Sequence, residues 1–111
     1  MSIQYCVGIG VTMFTWTKEK DKLNKKKHGL FFSEVVDVFN DPYLLEIYDT
    51  AHSSLNEDRY INLGCLHDTI ILFVVTADKV DNKTQIITAR KATPKEKELY
   101  YANFEKEIRR N

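Results

Sequence analysis

The sequence has few cysteines and no metal-binding pattern. Among its 111 residues only Cys6 and Cys65 are cysteines, which is too few for a disulfide scaffold, and neither lies in a paired metal-ligand spacing. The three histidines likewise lack the His-x-x-x-His spacing of a zinc site. We therefore expect no metal or other cofactor. Both cysteines are interpreted as buried small apolar side chains, with a disulfide or a reactive thiol as the alternative.

Long hydrophobic runs are also missing. The longest apolar stretches, residues 5–14 and 69–77, are too short to span a bilayer. The N-terminus has neither the basic leader nor the small-residue cleavage site of a signal peptide. The four glycines form no phosphate-binding loop and no Gly-x-Ser-x-Gly elbow. These absences predict a cytoplasmic protein that makes no membrane contact.

The chain has no net charge, but its charges are unevenly distributed. Residues 13–29 hold six lysines and two acids, a net charge of +4, and residues 30–68 hold one arginine and eight acids, a net charge of −7. Residues 69–111 hold nine basic residues and six acids, a net charge of +3. The basic segments could form a positive surface for a polyanion. A solvated helix face is the alternative explanation of the same lysines.

Two helices are predicted in the N-terminal part of the chain. Thr17 can cap a helix that runs to about His28, and Gly29 then ends it, because glycine adopts the left-handed cap at little cost. Ser33 can cap a short second helix, which ends at Asp41-Pro42 because proline disfavours a helical residue before it. Residues 2–12 could form an edge strand. Met13 could also be the natural start, in which case residues 1–12 would be an upstream extension.

Four later segments are predicted to be strands, because they are rich in β-branched and aromatic residues. These are residues 43–48, 59–66, 69–76 and 84–91. A two-residue turn at His67-Asp68 and a loop over 77–83 imply antiparallel neighbours. Thr93, Pro94 and Glu96 then form a capping-box pattern that begins a final helix. Residues 1–111 are therefore predicted to form a single α+β domain with two N-terminal helices, an antiparallel sheet of about four strands and a C-terminal helix.

An ordered set of short motifs, from about Phe14 to Tyr101, resembles the BrnT family of ribonuclease toxins. The first part contains Phe14-x-Trp16, Lys20, Asn24, Lys27-His28-Gly29, Phe32, Val38-Phe39 and Asp41-Pro42. The middle contains Asp49, His52-Ser53, Glu57-x-Arg59 and Leu63-Gly64. The last part contains Ile86-Ile87-Thr88-Ala89-Arg90-x-Ala92-Thr93, Glu98 and Tyr100. No single motif is specific, but the order and spacing of the whole set are.

The resemblance implies a RelE-like fold and the toxin role of a type II toxin–antitoxin pair. It implies a metal-independent endoribonuclease that inhibits translation and growth. The expected partners are an RNA substrate and a small BrnA-like antitoxin. The antitoxin would also bind operator DNA. The chain itself would contact that DNA only through the antitoxin.

Four positions depart from the family pattern. Thr17 stands where the family usually has an acid, Phe31 where it usually has serine, and Thr88 where it usually has a serine before Ala-Arg. The third strand commonly ends Tyr-Thr-x-Arg, whereas this chain has Val-Thr-Ala-Asp at 75–78. A positive charge is lost there, and whether Lys79 replaces it is open.

RNA cleavage without a metal uses the 2′-hydroxyl as nucleophile. It needs a base, an acid, and cations for the charge on the phosphate. The expected catalytic residues are Arg59, Arg90, His52, Glu57 and Thr88, and the expected RNA-binding residues are Lys20, Lys27, His28 and Lys91. Strand alternation puts Ile86, Thr88 and Arg90 on one face. Because Arg59 and Arg90 lie at strand ends, the two could converge on one phosphate.

Several of these residues also have a purely structural interpretation. Glu57 could be a base, but we favour a role in orienting Arg59. His52 could be a loop-tip histidine, and Lys27 and His28 could simply be favoured by the helix dipole. Trp16 could stack on a base, but a core position is the more common use of a lone tryptophan.

Two other functions remain open. The chain could be a catalytically degenerate module that binds RNA or an antitoxin, as the lost arginine would suggest. It could also be a structural protein that associates through its last helix, whose apolar stripe contains Tyr100, Tyr101, Phe104 and Ile108.

Overall fold

The computed structural model describes residues 4–9, 12–79 and 82–110. Its strands are β1 (Gln4–Ile9), β2 (Thr12–Thr17), β3 (Leu45–Tyr48), β4 (Arg59–Leu66), β5 (Ile70–Lys79) and β6 (Lys83–Lys91). Its helices are α1 (Lys18–His28), α2 (Phe32–Val35), which continues as a 3₁₀ helix over Val36–Asn40, and α3 (Pro94–Arg110). No helix among the described residues is both long and apolar enough to cross a membrane.

The six strands form one mixed sheet in the order β1-β2-β6-β5-β4-β3. All neighbours are antiparallel except β2 and β6, which are parallel. The predicted α+β class is correct, and β1 is the edge strand expected near the N-terminus. The prediction of about four antiparallel strands was wrong, because β2 was not recognised. Three consecutive residues of β2, Phe14, Thr15 and Trp16, are buried, so this strand lacks the alternation that marks a half-exposed strand.

Different helices cover the two faces of the sheet. On the face that α2 covers, here called the α2 face, the buried apolar residues are Phe14, Trp16, Leu30, Phe32, Val35, Val36, Val38, Leu66, Leu72, Val74, Ile86 and Ala89. On the opposite side, here called the α3 face, they are Leu63, Ile71, Ala92 and Tyr100. Trp16 packs edge-on against Phe32 at a centroid distance of 6.3 Å, which confirms its expected core position. The α3 face has the smaller core and therefore more open sheet surface.

The boundaries of α1 follow the predicted caps. Thr17 Oγ1 accepts a hydrogen bond from the Lys20 N–H (3.3 Å), and Gly29 adopts the left-handed conformation at φ 75°. The predicted Ser33 cap of α2 was wrong. The N-cap is Phe31, two residues earlier. The Phe31 N–H donates to Glu34 (3.3 Å) and the Phe32 N–H donates to Asp21 of α1 (2.8 Å). Phe32 is fully buried, and one carboxylate of α2 and one of α1 accept from the first N–H groups in place of a side-chain cap at Phe31.

The β4–β5 connection has three residues, His67, Asp68 and Thr69, one more than the predicted two-residue turn, because Leu66 pairs with Ile70. His67 and Asp68 both have positive φ. The predicted loop over 77–83 is shorter than expected, because β5 continues to Lys79 and Lys79 pairs with Lys83 of β6. Cys65 of β4 is half-buried and has a free thiol, so the prediction of full burial was wrong for it. The side chain of Cys6 lies outside the described residues.

A bulge in β6 corrects the predicted strand faces. Val75 pairs with Thr88 and Thr76 pairs with Ile86, which leaves Ile87 without a partner in β5. Ile86 and Ala89 are therefore both fully buried in the α2-face core. Ile86 does not share a face with Arg90, contrary to the prediction from simple alternation, because the extra residue reverses the side-chain direction beyond it.

Candidate active site

The predicted site residues fall into separate groups in the structure. Three of the expected catalytic residues, His52, Glu57 and Arg59, lie together around the first residue of β4. The residues of the second group line a pocket between α1 and β6. Arg90 belongs to neither group, because a helix residue holds it.

Glu57 is held between two cations. Its Oε1 accepts from Nε of Arg59 (2.8 Å), and its Oε2 accepts from Nζ of Lys79 (2.6 Å). Arg59 lies opposite Ala77 in the β4–β5 register, and Lys79 follows two residues later. We call Glu57, Arg59, Lys79 and the neighbouring His52 the Arg59 cluster.

The two cations change the acid–base properties of Glu57. The hydrogen bond from Lys79, and then that from Arg59, lowers the pKa of Glu57 to about 2 from an ordinary 4.5. A group with so low a pKa is a weak base at neutral pH. The geometry therefore fits the orienting role for Glu57 better than the role of a general base.

Arg59 retains the end of its guanidinium for a ligand. Only Nε is used by Glu57, and neither Nη has a hydrogen bond to protein within the described ranges. Two parallel Nη–H groups match two oxygens of a phosphate. Because Glu57 fixes the Nε edge, the opposite edge of the guanidinium is presented with a defined orientation.

The loop that contains His52 is fastened to the backbone of Arg59. The Asp49 N–H donates to the Arg59 carbonyl (2.8 Å), and the Arg59 N–H donates to Ser53 Oγ (2.9 Å). His52 Nδ1 lies 2.9 Å from Asp49 Oδ2, and the His52 side chain is 69% exposed. The carboxylate orients the imidazole ring and leaves Nε2 as the nitrogen available for proton transfer.

Both Nη groups of Arg90 are engaged by other residues. Nη1 and Nη2 donate to the two carboxylate oxygens of Glu96 in α3 (2.8 and 3.0 Å), and Nη1 also donates to the Lys91 carbonyl (3.2 Å). The guanidinium lies 3.9 Å from the ring centroid of Phe73. Glu96 in turn accepts from the Thr93 N–H (2.8 Å), so Arg90 is bound to the cap of α3. The hydrogen bonds with Glu96 raise the pKa of Arg90 and lower that of Glu96.

The sheet register separates the two arginines. Arg90 lies opposite Phe73, which lies opposite Leu63, four residues from Arg59 along β4. Two strand spacings and four residues of rise place the two Cα atoms roughly 16 Å apart. The structure does not bring the two guanidinium groups together, since Glu96 also holds that of Arg90. They belong to strand ends that the bulged, six-stranded sheet keeps apart.

A pocket of about 240 Å³ lies between α1 and the bulge of β6. We call it the α1–β6 pocket; it is lined by Lys20, Leu23, Asn24, Lys27, His28, Ile87 and Thr88. At its base, Asn24 Oδ1 accepts from the Thr88 hydroxyl (3.2 Å) and from the Ala89 N–H (3.0 Å), which ties the helix to the strand. The structure therefore brings together three of the four predicted RNA-binding residues and one predicted catalytic residue. The two pocket lysines have no ion pair within residues 12–79 and 82–110.

The pocket and the Arg59 cluster occur on neighbouring parts of the sheet. Thr88 lies opposite Val75, which lies opposite Ile61, two residues from Arg59. Cross-strand partners share a face, so Thr88 and Arg59 belong to the same one. The strand spacing and the rise per residue place their Cα atoms about 12 Å apart. One extended RNA segment can cover this distance.

A model of the family described as "Ribonuclease toxin, BrnT, of type II toxin-antitoxin system" matches residues 16–96. The chain belongs to the BrnT family. It is thus the ribonuclease toxin of a type II toxin–antitoxin system, and it is an endoribonuclease. The matched residues include the Arg59 cluster and the α1–β6 pocket.

The fold comparison agrees with the family. The structure is similar to that of the Brucella abortus ribonuclease toxin BrnT, with a TM-score of 0.52 and 22% sequence identity over 70% of this chain and 92% of that chain. At this identity the likeness concerns the fold alone. No curated protein matches the sequence.

Some of the residues in this BrnT-family site were not predicted as site residues. Asp49 orients His52 and Asn24 forms the base of the pocket; both occur in the family motifs, but a motif alone assigns no role. The sequence left open whether Lys79 replaces the lost arginine, and in the structure Lys79 contacts the carboxylate that holds Arg59. Lys91 lies apart from both groups, near Lys97 and Tyr101.

Proposed function

We propose that this BrnT-family endoribonuclease cleaves RNA at the Arg59 cluster, through attack of a 2′-hydroxyl on the adjacent phosphate, with no metal in the step. The observation that carries the proposal is the orientation of Arg59. Its Nε is fixed by Glu57 (2.8 Å) while both Nη groups remain available for phosphate oxygens. A planar fork held in this way stabilises the charge that develops on the phosphate during attack.

The other members of the cluster have complementary roles. His52, oriented by Asp49, takes the proton of the 2′-hydroxyl and returns a proton to the leaving 5′-oxygen in turn. The attack forms a bond from the 2′-oxygen to phosphorus and breaks the bond to the 5′-oxygen, which yields a 2′,3′-cyclic phosphate. Glu57 holds Arg59 in place and does not accept a proton at neutral pH.

The α1–β6 pocket binds the RNA beside the cleaved bond. Lys20, Lys27 and His28 contact flanking phosphates, since charge and hydrogen bonding to phosphates position a nucleic acid without reading its sequence. The Thr88 hydroxyl is a further polar contact at the sheet. Arg90 has its fork filled by Glu96, which favours a structural role in fastening α3 to β6.

The family also supports proposals about the cellular role. A type II toxin is paired with an antitoxin, and we propose that this one is a BrnA-like protein that also binds operator DNA. RNA cleavage would then inhibit translation and growth when the antitoxin is absent, and we expect this to happen in the cytoplasm, where mRNA is translated.

Purified, antitoxin-free protein tests the reaction directly. An RNA oligonucleotide is incubated with the protein in EDTA, beside the same oligonucleotide with a single 2′-deoxy nucleotide at the mapped cleavage site. We expect cleavage of the first, with a 2′,3′-cyclic phosphate end, and none of the second at that bond. Salt-dependent binding of RNA without cleavage would instead favour the degenerate binding module.

A further inference from the structure

The charge balance of the Arg59 cluster depends on Lys79. Glu57 and Arg59 alone would form a neutral pair, and the ammonium of Lys79 adds one positive charge to it. Each oxygen of Glu57 accepts from a different cation, at 2.8 Å and 2.6 Å, so the carboxylate is held from both sides. The second oxygen of the carboxylate is therefore engaged by Lys79 and not by the Nη groups of Arg59.

The backbone supports this arrangement. The Asp78 N–H donates to the Asp58 carbonyl (2.9 Å), which continues the pairing of β4 and β5 beyond Arg59. The last residue of β5, Lys79, is therefore placed beside Glu57 by the sheet itself. About two-fifths of the Lys79 side chain is exposed, so its contact with Glu57 is not a consequence of burial.

We propose that Lys79 is a positioning residue for the cleavage reaction. It acts through Glu57, and it keeps both Nη groups of Arg59 free for the phosphate by competing for the carboxylate. This inference rests on the proposed function of the Arg59 cluster. It makes the reaction depend on a lysine that contacts neither the phosphate nor the 2′-hydroxyl.

The test compares Lys79→Met with Lys79→Arg and with Lys83→Met, the control for the loss of one lysine charge at the register partner of Lys79. We measure the single-turnover rate at saturating RNA and the RNA affinity separately. Lys79→Met should lower the saturated rate about tenfold, Lys79→Arg should restore most of it, and Lys83→Met should leave it unchanged. The proposal would be overturned if Lys79→Met lowered only the RNA affinity, or if its saturated rate fell no more than that of Lys83→Met.

A double-mutant cycle with Glu57→Gln separates action through Glu57 from direct contact with RNA. If Lys79 acts through Glu57, Lys79→Met should have little further effect on the rate in the Glu57→Gln background. An equal effect in both backgrounds would contradict the positioning role. Wild-type protein that cleaves no RNA would contradict the proposed function instead.

A measurement without RNA tests the same contact. An NMR titration of the carboxyl carbon should show the pKa of Glu57 rising from about 2 towards 4.5 in Lys79→Met but not in Lys83→Met. An unchanged Glu57 pKa would overturn the proposal, whatever the activity of the variants.

Discussion

At the scale of single residues, two arginines at strand ends differ in which nitrogens remain available. Arg59 uses Nε for Glu57, whereas Arg90 uses both Nη groups for Glu96. The sequence could not separate them, because both are arginines near the end of a strand in a recognisable motif. One sequence pattern does differ between them. Thr93 and Glu96 form a capping box, which fixes the Glu96 carboxylate where it can bind a cation six residues earlier in the chain.

Glu57 gives a prediction about pH. Its pKa in the folded protein, about 2, lies below the ordinary 4.5, so its ion pairs stabilise the fold fully above pH 4.5 and are lost as the pH falls towards 2. Glu57→Gln removes this contribution. The difference in unfolding free energy between wild type and variant should therefore be constant above that range and shrink within it.

Urea unfolding at about pH 7 and about pH 3 measures this difference. Glu105→Gln, on an exposed position of α3, is the control for the loss of a carboxylate and should show no such trend. A Glu57→Gln difference that stays the same at both pH values would show that the ion pairs do not form.

At the scale of elements, regular patterns in the sequence were easier to interpret than interruptions of a pattern. Caps predicted both ends of α1, and His67-Asp68 predicted the place of the β4–β5 turn, although the turn is one residue longer than expected. The strand β2 and the bulge at Ile87 were not predicted from the sequence. A strand with consecutive buried residues shows no period of two, and a bulge is visible only in the pairing of two strands. The bulge in turn decides which side chains of β6 reach the site.

The contact of α1 with β6 depends on Asn24. This nearly buried amide accepts from Thr88 and Ala89 and donates to the Leu30 carbonyl (3.0 Å). Asn24→Ala leaves the Ala89 N–H and the Leu30 carbonyl without partners, so we expect it to lower the unfolding free energy by about 2 to 4 kcal/mol. Denaturant unfolding measures the loss.

Lys26→Ala is the control on the same helix, because Lys26 is exposed. It should change the unfolding free energy by less than about 0.5 kcal/mol. An Asn24→Ala variant as stable as Lys26→Ala would show that α1 is held to the sheet by other contacts.

At the scale of the whole molecule, a neutral total charge conceals distinct local surfaces. The start of β4 and the α1–β6 pocket present Arg59, Lys20 and Lys27, whereas the far end of β4 adjoins Asp37, Asp41 and Asp68 in a separate pocket of about 450 Å³. The segment charges predicted a basic surface, but only the fold shows which lysines of α1 face the sheet. The other face of the sheet at the start of β4 carries the acids Glu46, Asp58 and Asp78, so an anionic strand should approach the face that presents Arg59 and the α1–β6 pocket.

RNA affinity as a function of salt tests the α1–β6 pocket. Lys20→Ala/Lys27→Ala removes two lysines of the pocket, and Lys22→Ala/Lys26→Ala removes two from other positions of the same helix. If the pocket binds phosphates, the first pair should reduce the slope of log affinity against log salt by about 0.7 per lysine. The second pair should have a much smaller effect, and equal effects would mean that α1 acts only through its total charge.

We propose that Arg59 binds the cleaved phosphate, whereas Arg90 holds the fold together. Single-turnover RNA cleavage by Arg59→Ala and Arg90→Ala, each below its melting temperature, tests it most directly. We expect Arg59→Ala to lose about 10²- to 10³-fold in rate and only the small stability contribution of its ion pair with Glu57, below about 1 kcal/mol. We expect Arg90→Ala to lose about 1 kcal/mol of stability while retaining most of its rate. Full cleavage by Arg59→Ala, or an equal loss of rate in folded Arg90→Ala, would contradict the claim.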